Sequence, residues 1–153
     1  MFKVIVKTVV NPSEDEEKVR KALTNVFTPD KIEVLDKGEC KEIIAVSESC
    51  ASLEKLHRLL RKYRILDAAR KHLKAGKTED GIEFELNKQV AYVGKISFCT
   101  TPEESPLGPL KFRIETDKPR LIIDWLAPRT VRGKPVREVR DIEEELSKPG
   151  GYG

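Results

Sequence analysis

Several residue types are scarce in this chain, and each scarcity narrows what the protein can be. Its 153 residues include three cysteines, two histidines, nine aromatic residues and a single glutamine. Cys40, Cys50 and Cys99 are widely spaced and form no CxxC or Cys/His cluster, so we expect small core residues rather than a structural zinc site. Their odd number, without a secretory leader, favours a reducing cytoplasm.

Long apolar runs and catalytic signatures are also missing. The opening MFKVIVKTVV is interrupted by lysine and is too short and too charged for a membrane span. No G-x-S-x-G, P-loop or Rossmann fingerprint occurs, and we expect His57 and His72 to pack between elements. Asp117 and Asp124 could form a carboxylate pair, although turn and strand-end hydrogen bonds explain them more simply. We therefore predict no enzyme, no cofactor and no metal site.

Charge is what the sequence has in excess. Charged residues make up 36% of the chain, against about 25% in an ordinary globular protein. With only three asparagines and one glutamine, this balance is typical of heat-adapted proteins, and a charge-rich mesophile fits equally well. The net charge is only +3, which excludes a uniformly basic nucleic-acid-binding protein.

The charge is concentrated in two regions. Residues 53–77 hold nine basic and two acidic residues, a net of +7, which leaves 20 basic and 24 acidic residues elsewhere. A second basic cluster occupies residues 129–140. Basic regions on an acidic body focus a field that attracts anions. They supply the candidate nucleic-acid-binding residues: Lys55, Arg58, Arg61, Lys62, Arg64, Arg70, Lys71, Lys74, Arg129, Arg132 and Lys134.

The apolar pattern of the first half predicts the order β-α-β-β-α-α. A strand is expected at residues 2–10, followed by a helix with a capping box formed by Ser13 and Glu16. KIEVL and CKEIIAV then form a hairpin. Ser52 is expected to cap the long helical segment that follows.

That helical segment, residues 53–75, carries two apolar stripes that do not share a face. The stripe of residues 53–63 lies opposite the stripe of residues 65–73 on a helical wheel, and one straight helix cannot bury both against one sheet. The pattern therefore predicts two helices with a break near Tyr63–Arg64.

The second half predicts four strands: IEFEL, VAYVGKISF, KFRIE and RLIIDWL, with the last two joined as a hairpin around TDKP. Pro135 is expected to open a final helix, although acids at the far end of that helix oppose its dipole. The fold class is α+β, with an antiparallel or mixed sheet covered by helices and a strand-rich second half. We predict one domain, residues 1–148, with a helix-rich half (1–77), a strand-rich half (78–148) and a flexible tail at 149–153.

Four stretches together resemble a known family: LHRLLRKYRILDAARKHL, FELNKQVAYVGKISF, ESPLGPL and IDWLAPRTVRGKPV. It is a conserved archaeal family of uncharacterised proteins, catalogued as RNA-binding, whose fold is described as similar to the ribosomal protein that binds five-S ribosomal RNA. The resemblance covers most of residues 56–136. It implies a single α+β chain that pairs as a homodimer, with RNA as the ligand and no catalytic residue set.

Our leading hypothesis is a cytoplasmic RNA-binding or ribosome-associated protein whose basic helices contact backbone phosphate. No RNP-type aromatic pair lies on a predicted strand and no GXXG loop joins two predicted helices, so binding would depend on phosphates and shape. Replacing Arg58, Arg61 and Lys62 with Glu is expected to abolish binding without unfolding. One rival is a homodimeric interaction protein whose basic helices pair with acids such as Glu143–Glu145. Two other interpretations stay open. The basic segment could be a solvated helix face without a partner, and, as a third hypothesis for function, the protein could be a small-molecule enzyme with a site near Asp124.

Overall fold

The computed structural model describes residues 1–101 and 104–152. In chain order the elements are β1 (Phe2–Val10), α1 (Glu16–Val26), β2 (Lys31–Asp36), β3 (Lys41–Ser47), a 3-10 turn (Cys50–Leu53), α2 (Glu54–Lys62), α3 (Leu66–Ala75), β4 (Lys77–Thr78), β5 (Gly81–Leu86), α4 (Lys88–Tyr92), β6 (Leu110–Thr116), α5 (Pro119–Leu126), β7 (Thr130–Val131), β8 (Lys134–Pro135) and α6 (Ile142–Ser147). Among these described helices, none is long and apolar enough to cross a bilayer.

The strands β1 to β6 form one antiparallel sheet in the order β2-β3-β1-β6-β5-β4, and β7 pairs with β8 in a separate small hairpin. Side chains alternate between the two faces of a strand. In β1, Val4 and Val6 are therefore fully buried, while Ile5 and Lys7 face the open side. The predicted α+β class with an antiparallel sheet is confirmed.

The predicted break in the long basic segment is confirmed. The helix α2 ends at Lys62 and α3 begins at Leu66. Between them Arg64 adopts a left-handed conformation with φ of 53°. The turn reorients the chain so that Leu60 of the first stripe and Leu73 of the second both reach the core, where each is at most 1% exposed.

Two segments predicted as strands form no strand of the sheet, and these predictions were wrong. The first three residues of VAYVGKISF, up to Tyr92, belong to α4. The side chain of Asn87 caps this helix by accepting a hydrogen bond from the amide of Val90. Only Phe98 forms a strand-like bridge, to Leu86. RLIIDWL lies in α5, which is buried on nearly every side. A short apolar run of that kind shows neither helical nor strand periodicity.

Two predicted helix caps were displaced. The helix α1 is capped by Asp15 and not by Ser13, because the Asp15 carboxylate accepts from the amide of Glu17. Ser49 caps the 3-10 turn, whereas Ser52 is buried inside it and donates to the Ser49 carbonyl. In both places a cap of the expected chemistry is present within one turn of the predicted position.

The final helix also starts later than predicted. Pro135 lies in β8, and α6 begins at Ile142 with Asp141 as its cap. Glu143–Glu145 thus occupy the first turn of α6, where acids suit the helix dipole. The single domain at 1–148 and the flexible tail at 149–153 remain predictions, and Gly153 lies outside the described residues.

Candidate nucleic-acid interface

Arg61, a predicted phosphate ligand, is bonded within the fold. Its guanidinium donates to the carbonyls of Trp125 (3.1 Å), Leu126 (3.0 Å) and His57 (2.9 Å), and to both carboxylate oxygens of Glu138 (2.6 and 2.8 Å). Two of these carbonyls end α5, where a helix leaves its acceptors without partners and favours a cation. The Arg61 side chain is 21% exposed, so its observed role is to hold α5 against α2.

Two further candidates have similar structural contacts. Arg70 pairs with Asp124 at 2.8 Å and donates to the carbonyl of Ala127 at 3.1 Å. The Lys55 ammonium donates to the carbonyl of Thr24 at 2.7 Å, in the last turn of α1. The C-terminal ends of two helices are therefore satisfied by side chains from the basic segment.

The other eight predicted residues are exposed, and within the described chain none has an acidic partner inside 4 Å. We call them the basic surface: Arg58, Lys62, Arg64, Lys71, Lys74, Arg129, Arg132 and Lys134. They lie on α2, the α2–α3 junction, α3 and the β7–β8 hairpin with its flank. Their role in binding remains a prediction.

The two basic regions of the sequence meet at one cavity. This junction pocket, of about 340 Å³, lies between the α2–α3 junction and the β7–β8 hairpin; its polar lining includes Arg61, Arg64, Asp67, Thr130, Arg132 and Lys134. The Thr130 hydroxyl donates to the Asp67 carboxylate and so ties the hairpin to α3. Residues 53–77 and 129–140 therefore contribute to one site.

A second basic cleft lies at the other end of α3. Lys74, Lys77 and Arg120 line it, in a volume of about 270 Å³, beside the Arg70–Asp124 pair. Arg120 is not among the predicted residues because it lies outside the two basic regions of the sequence. The ten residues of α3 span about 15 Å, so cations flank this helix at both ends.

The two histidines pack between elements, as expected. The His57 ring lies 5.0 Å from that of Trp125, and the His72 ring stacks on Phe98 at 4.9 Å. Burial, helped by the nearby charge of Arg61, lowers the pKa of His57 to about 4. His57 is therefore neutral near pH 7, and Trp125, which is 6% exposed, is not available to stack on a base.

The residues considered for catalysis or metal binding have other partners. Asp124 accepts from Arg70 and from the Tyr152 hydroxyl at 2.8 Å each, while Asp117 lies 3.7 Å from the amino-terminal nitrogen. Burial raises the pKa of the Cys50 thiol to about 12, which makes it a poor nucleophile. In the part of the chain that the structure describes, no group of three or more His, Cys, Asp and Glu side chains could hold a metal.

Known proteins resemble this chain over most of its length. A family model described as "RNA binding" matches residues 3–116. A UPF0201 protein from Sulfolobus acidocaldarius is 51% identical over 138 residues, which are 90% of this chain and 95% of the relative. The crystal structure of a UPF0201 protein from Methanococcus jannaschii is 38% identical, with a TM-score of 0.78 over 88% of this chain and 99% of that one.

A more distant structure shares only the fold. This protein, from Methanothermobacter thermautotrophicus, is 19% identical, with a TM-score of 0.53 over 74% of this chain and 82% of that one. The chain therefore belongs to the family that the RNA-binding model describes, together with the archaeal UPF0201 proteins. The resemblance to a conserved archaeal family is confirmed, and the relatives come from heat-adapted organisms.

Proposed function

We propose that this protein binds structured RNA in the cytoplasm through the basic surface. One observation carries the proposal: eight cations from both halves of the chain are exposed on neighbouring elements, without acidic partners among the described residues. An ordinary solvated helix mixes both signs of charge. The name of the family model points to the same ligand.

The chemistry of this surface suits phosphates better than bases. Arginine and lysine fix a protein on the nucleic-acid backbone, whereas sequence is distinguished by contacts to base edges or by stacking. Tyr63 is half-buried beside the surface, with the Lys62 ammonium 5.3 Å from its ring. We therefore expect binding that depends on the shape and charge of the RNA and little on its sequence.

A charge-removal series tests the proposal. Arg58→Ala, Lys62→Ala and Lys71→Ala combined should weaken binding to a structured RNA and lower the slope of log K against log salt by about two to three, because each phosphate contact contributes roughly 0.7–0.9. The matched control replaces Lys31, Lys37 and Lys95, exposed lysines elsewhere on the molecule. An equal loss in both triple variants would show that the basic surface is not the particular site of binding, and wild-type protein that does not bind RNA would refute the proposal.

Arg61 is left out of this series because it supports the fold. Glutamate at position 61 would lose the bonds to α5 and would stand beside Glu138. The triple glutamate variant of Arg58, Arg61 and Lys62 would therefore combine lost binding with lost stability, and its effect on RNA could not be separated from unfolding.

Ribosomal RNA is the first target that we propose to test. A fold similar to that of the ribosomal protein that binds five-S ribosomal RNA remains a prediction, as does association with ribosomes. Sedimentation of a tagged chain with ribosomal particles at low salt, compared with the triple alanine variant, measures that association. Wild-type and variant chains found equally in the free fraction would exclude it.

We infer a homodimer as a second candidate property, because the open face of the sheet carries half-buried Ile5, Ile44 and Val46 beside charged residues. The ionic pairing expected from the sequence is less available, since Glu145 pairs with Lys148 within the chain. Solution mass across a salt series tests this. A dimer that persists at high salt supports the sheet face, one that dissociates supports ionic pairing, and a monomer throughout excludes both.

A further inference from the structure

We propose that the junction pocket holds one phosphate group of the bound RNA between Arg64, Arg132 and Lys134. The proposal rests on RNA binding as the function and adds a defined site to it. Phosphate is the shared chemistry of three possible sources: an internal phosphodiester, a terminal phosphate of the strand, and free phosphate.

The first support is the backbone conformation of the two arginines. Among the described residues, Arg64 and Arg132 are the two non-glycine residues with positive φ, at 53° and 55°. Both line the same cavity. A left-handed conformation is strained for an L-residue with a Cβ atom, and strain of this kind concentrates at functional sites.

Arg64 occupies a position at which helices prefer glycine. The amide of Ile65 donates to the Leu60 carbonyl at 3.0 Å, and the amide of Arg64 donates to the Arg61 carbonyl at 3.2 Å. These two bonds form a Schellman motif, in which the left-handed residue is usually Gly and sometimes Asn. The turn itself has no need of an arginine side chain.

Arg132 occupies a comparable position in the hairpin. It and Gly133, with φ of 55° and 79°, connect Val131 to its pairing partner Lys134. Positive φ at both central residues defines a type I′ turn, which favours Asn-Gly, Asp-Gly or Gly-Gly. Two unrelated turns thus place arginine where glycine would fit with less strain, and both turns border one pocket.

The second support is the charge balance inside the pocket. Arg64, Arg132 and Lys134 have no acidic partner within 4 Å among the described residues. The acid that lines the pocket, Asp67, accepts from Thr130, and Arg61 is already paired with Glu138. An anion would offset the repulsion among the three free cations, and arginine can donate to two phosphate oxygens at once.

The size of the cavity is compatible with such an anion. Its volume of about 340 Å³ is roughly ten times the 30 Å³ that a water molecule occupies in the liquid. A phosphate group fits inside this space with part of its attached sugar, while the rest of the RNA strand extends onto the basic surface.

Glycine substitution separates binding from folding at this site. Arg64→Gly combined with Arg132→Gly relieves the strain in both turns, so the variant should fold with unchanged or raised thermal stability. Its RNA affinity should fall by about tenfold or more, because the variant loses the charge-assisted hydrogen bonds that both arginines would donate to phosphate. The matched control, Arg58→Ala with Lys71→Ala, removes two cations outside the pocket.

Inorganic phosphate is the direct probe of the pocket. In an amide NMR titration, phosphate should shift the signals of Arg64, Arg132 and their neighbours in the wild type and in the Arg58/Lys71 control, and should leave the glycine variant unshifted. Shifts spread over all exposed lysines, or none at all, would overturn the pocket even if RNA binds. A localised phosphate shift without RNA binding would overturn RNA as the source and refute the proposed function separately.

Matched oligonucleotides distinguish the remaining sources. If 5′-phosphorylated RNA binds more tightly than 5′-hydroxyl RNA, and the glycine variant loses that difference, the pocket takes a terminal phosphate. If the wild type binds both RNAs equally, and the glycine variant loses more affinity for both than the Arg58/Lys71 control does, the pocket takes an internal phosphodiester. An equal loss of RNA affinity in the glycine variant and the control would mean that the pocket is only part of a diffuse basic surface. That result would contradict the proposal.

Discussion

Replacing Arg61 with Met should destabilise the protein although its charge lies in the basic segment. The substitution keeps an apolar stem and removes the bonds to Trp125, Leu126 and Glu138. An acceptor left unsatisfied in the interior costs about 1–3 kcal/mol. The ion pair adds roughly 0.5 kcal/mol, because the Glu138 side chain is 43% exposed. Two such acceptors, Trp125 and Leu126, and the ion pair together should lower the free energy of unfolding by about 2.5–6.5 kcal/mol.

Urea unfolding followed by circular dichroism measures this change. The control Arg58→Met, at an exposed position, should stay within about 0.5 kcal/mol of the wild type. At temperatures where both proteins are folded, Arg61→Met should retain its RNA affinity. A loss of less than about 1 kcal/mol, or lost RNA binding by a folded variant, would refute the structural role of Arg61.

The same variant has a defined pH dependence. The hydrogen bond from Arg61 lowers the pKa of Glu138 below its ordinary value of 4.5. A lowered carboxyl pKa stabilises the fold above the unfolded value and loses that contribution as pH falls through the folded one. The stability difference between wild type and Arg61→Met should therefore narrow below about pH 4.5.

Three further predictions concern groups inside the fold. Lys88→Met should lower the free energy of unfolding, measured in urea, by about 3–5 kcal/mol. The Lys88 side chain is 3% exposed, and its ammonium bonds Glu14 at 2.9 Å and the Val9 carbonyl at 2.6 Å. A decrease below about 1 kcal/mol would contradict the buried ion pair. The His57 ring should titrate near pH 4 by NMR, against 6.5 for an ordinary histidine. Because the folded state binds that proton less readily, stability should fall as pH decreases from about 6.5 towards 4, and a His57→Gln variant should show a shallower decline. Cys50, 1% exposed with a pKa near 12, should react with a thiol reagent only on unfolding, and rapid native labelling would contradict its burial.

The sequence predicts local features where periodicity or turn chemistry is unambiguous. The phase reversal between the stripes of residues 53–63 and 65–73 locates the break at Arg64, because only a change of direction buries both stripes. The hairpin between β2 and β3 is also predicted, and Gly38 with φ of 95° lies in its turn. Both features depend on residues close in the chain.

The roles of individual cations cannot be predicted in the same way. Arg61 and Arg70 bond to the end of α5, more than fifty positions away, and the sequence pattern of RLIIDWL predicts a strand there. A strand at this position would have no unpaired carbonyls of a helix end for Arg61 and Arg70 to bond. Both arginines are therefore predicted from the sequence to be available for RNA. Arg120 is overlooked for a different reason: it lies outside the two basic regions from which the candidates come, and only the fold brings it beside Lys74 and Lys77.

Among the described residues, both cations of the basic segment that pair with an acid are arginines, whereas its exposed positions hold both lysine and arginine. Arg61 and Arg70 satisfy carbonyls and carboxylates together. Arg61 uses all three guanidinium nitrogens to do so, a planar fork of donors that lysine lacks. The solvent-facing positions include Lys62, Lys71 and Lys74, where a point charge on a flexible stem is sufficient to meet a phosphate. Two cations of the +7 surplus are thus neutralised by Glu138 and Asp124, and both acids lie outside residues 53–77. Within the described part of the chain, the cations of this segment without an acidic partner include the strained Arg64, which lines one pocket together with Arg132 of the β7–β8 hairpin.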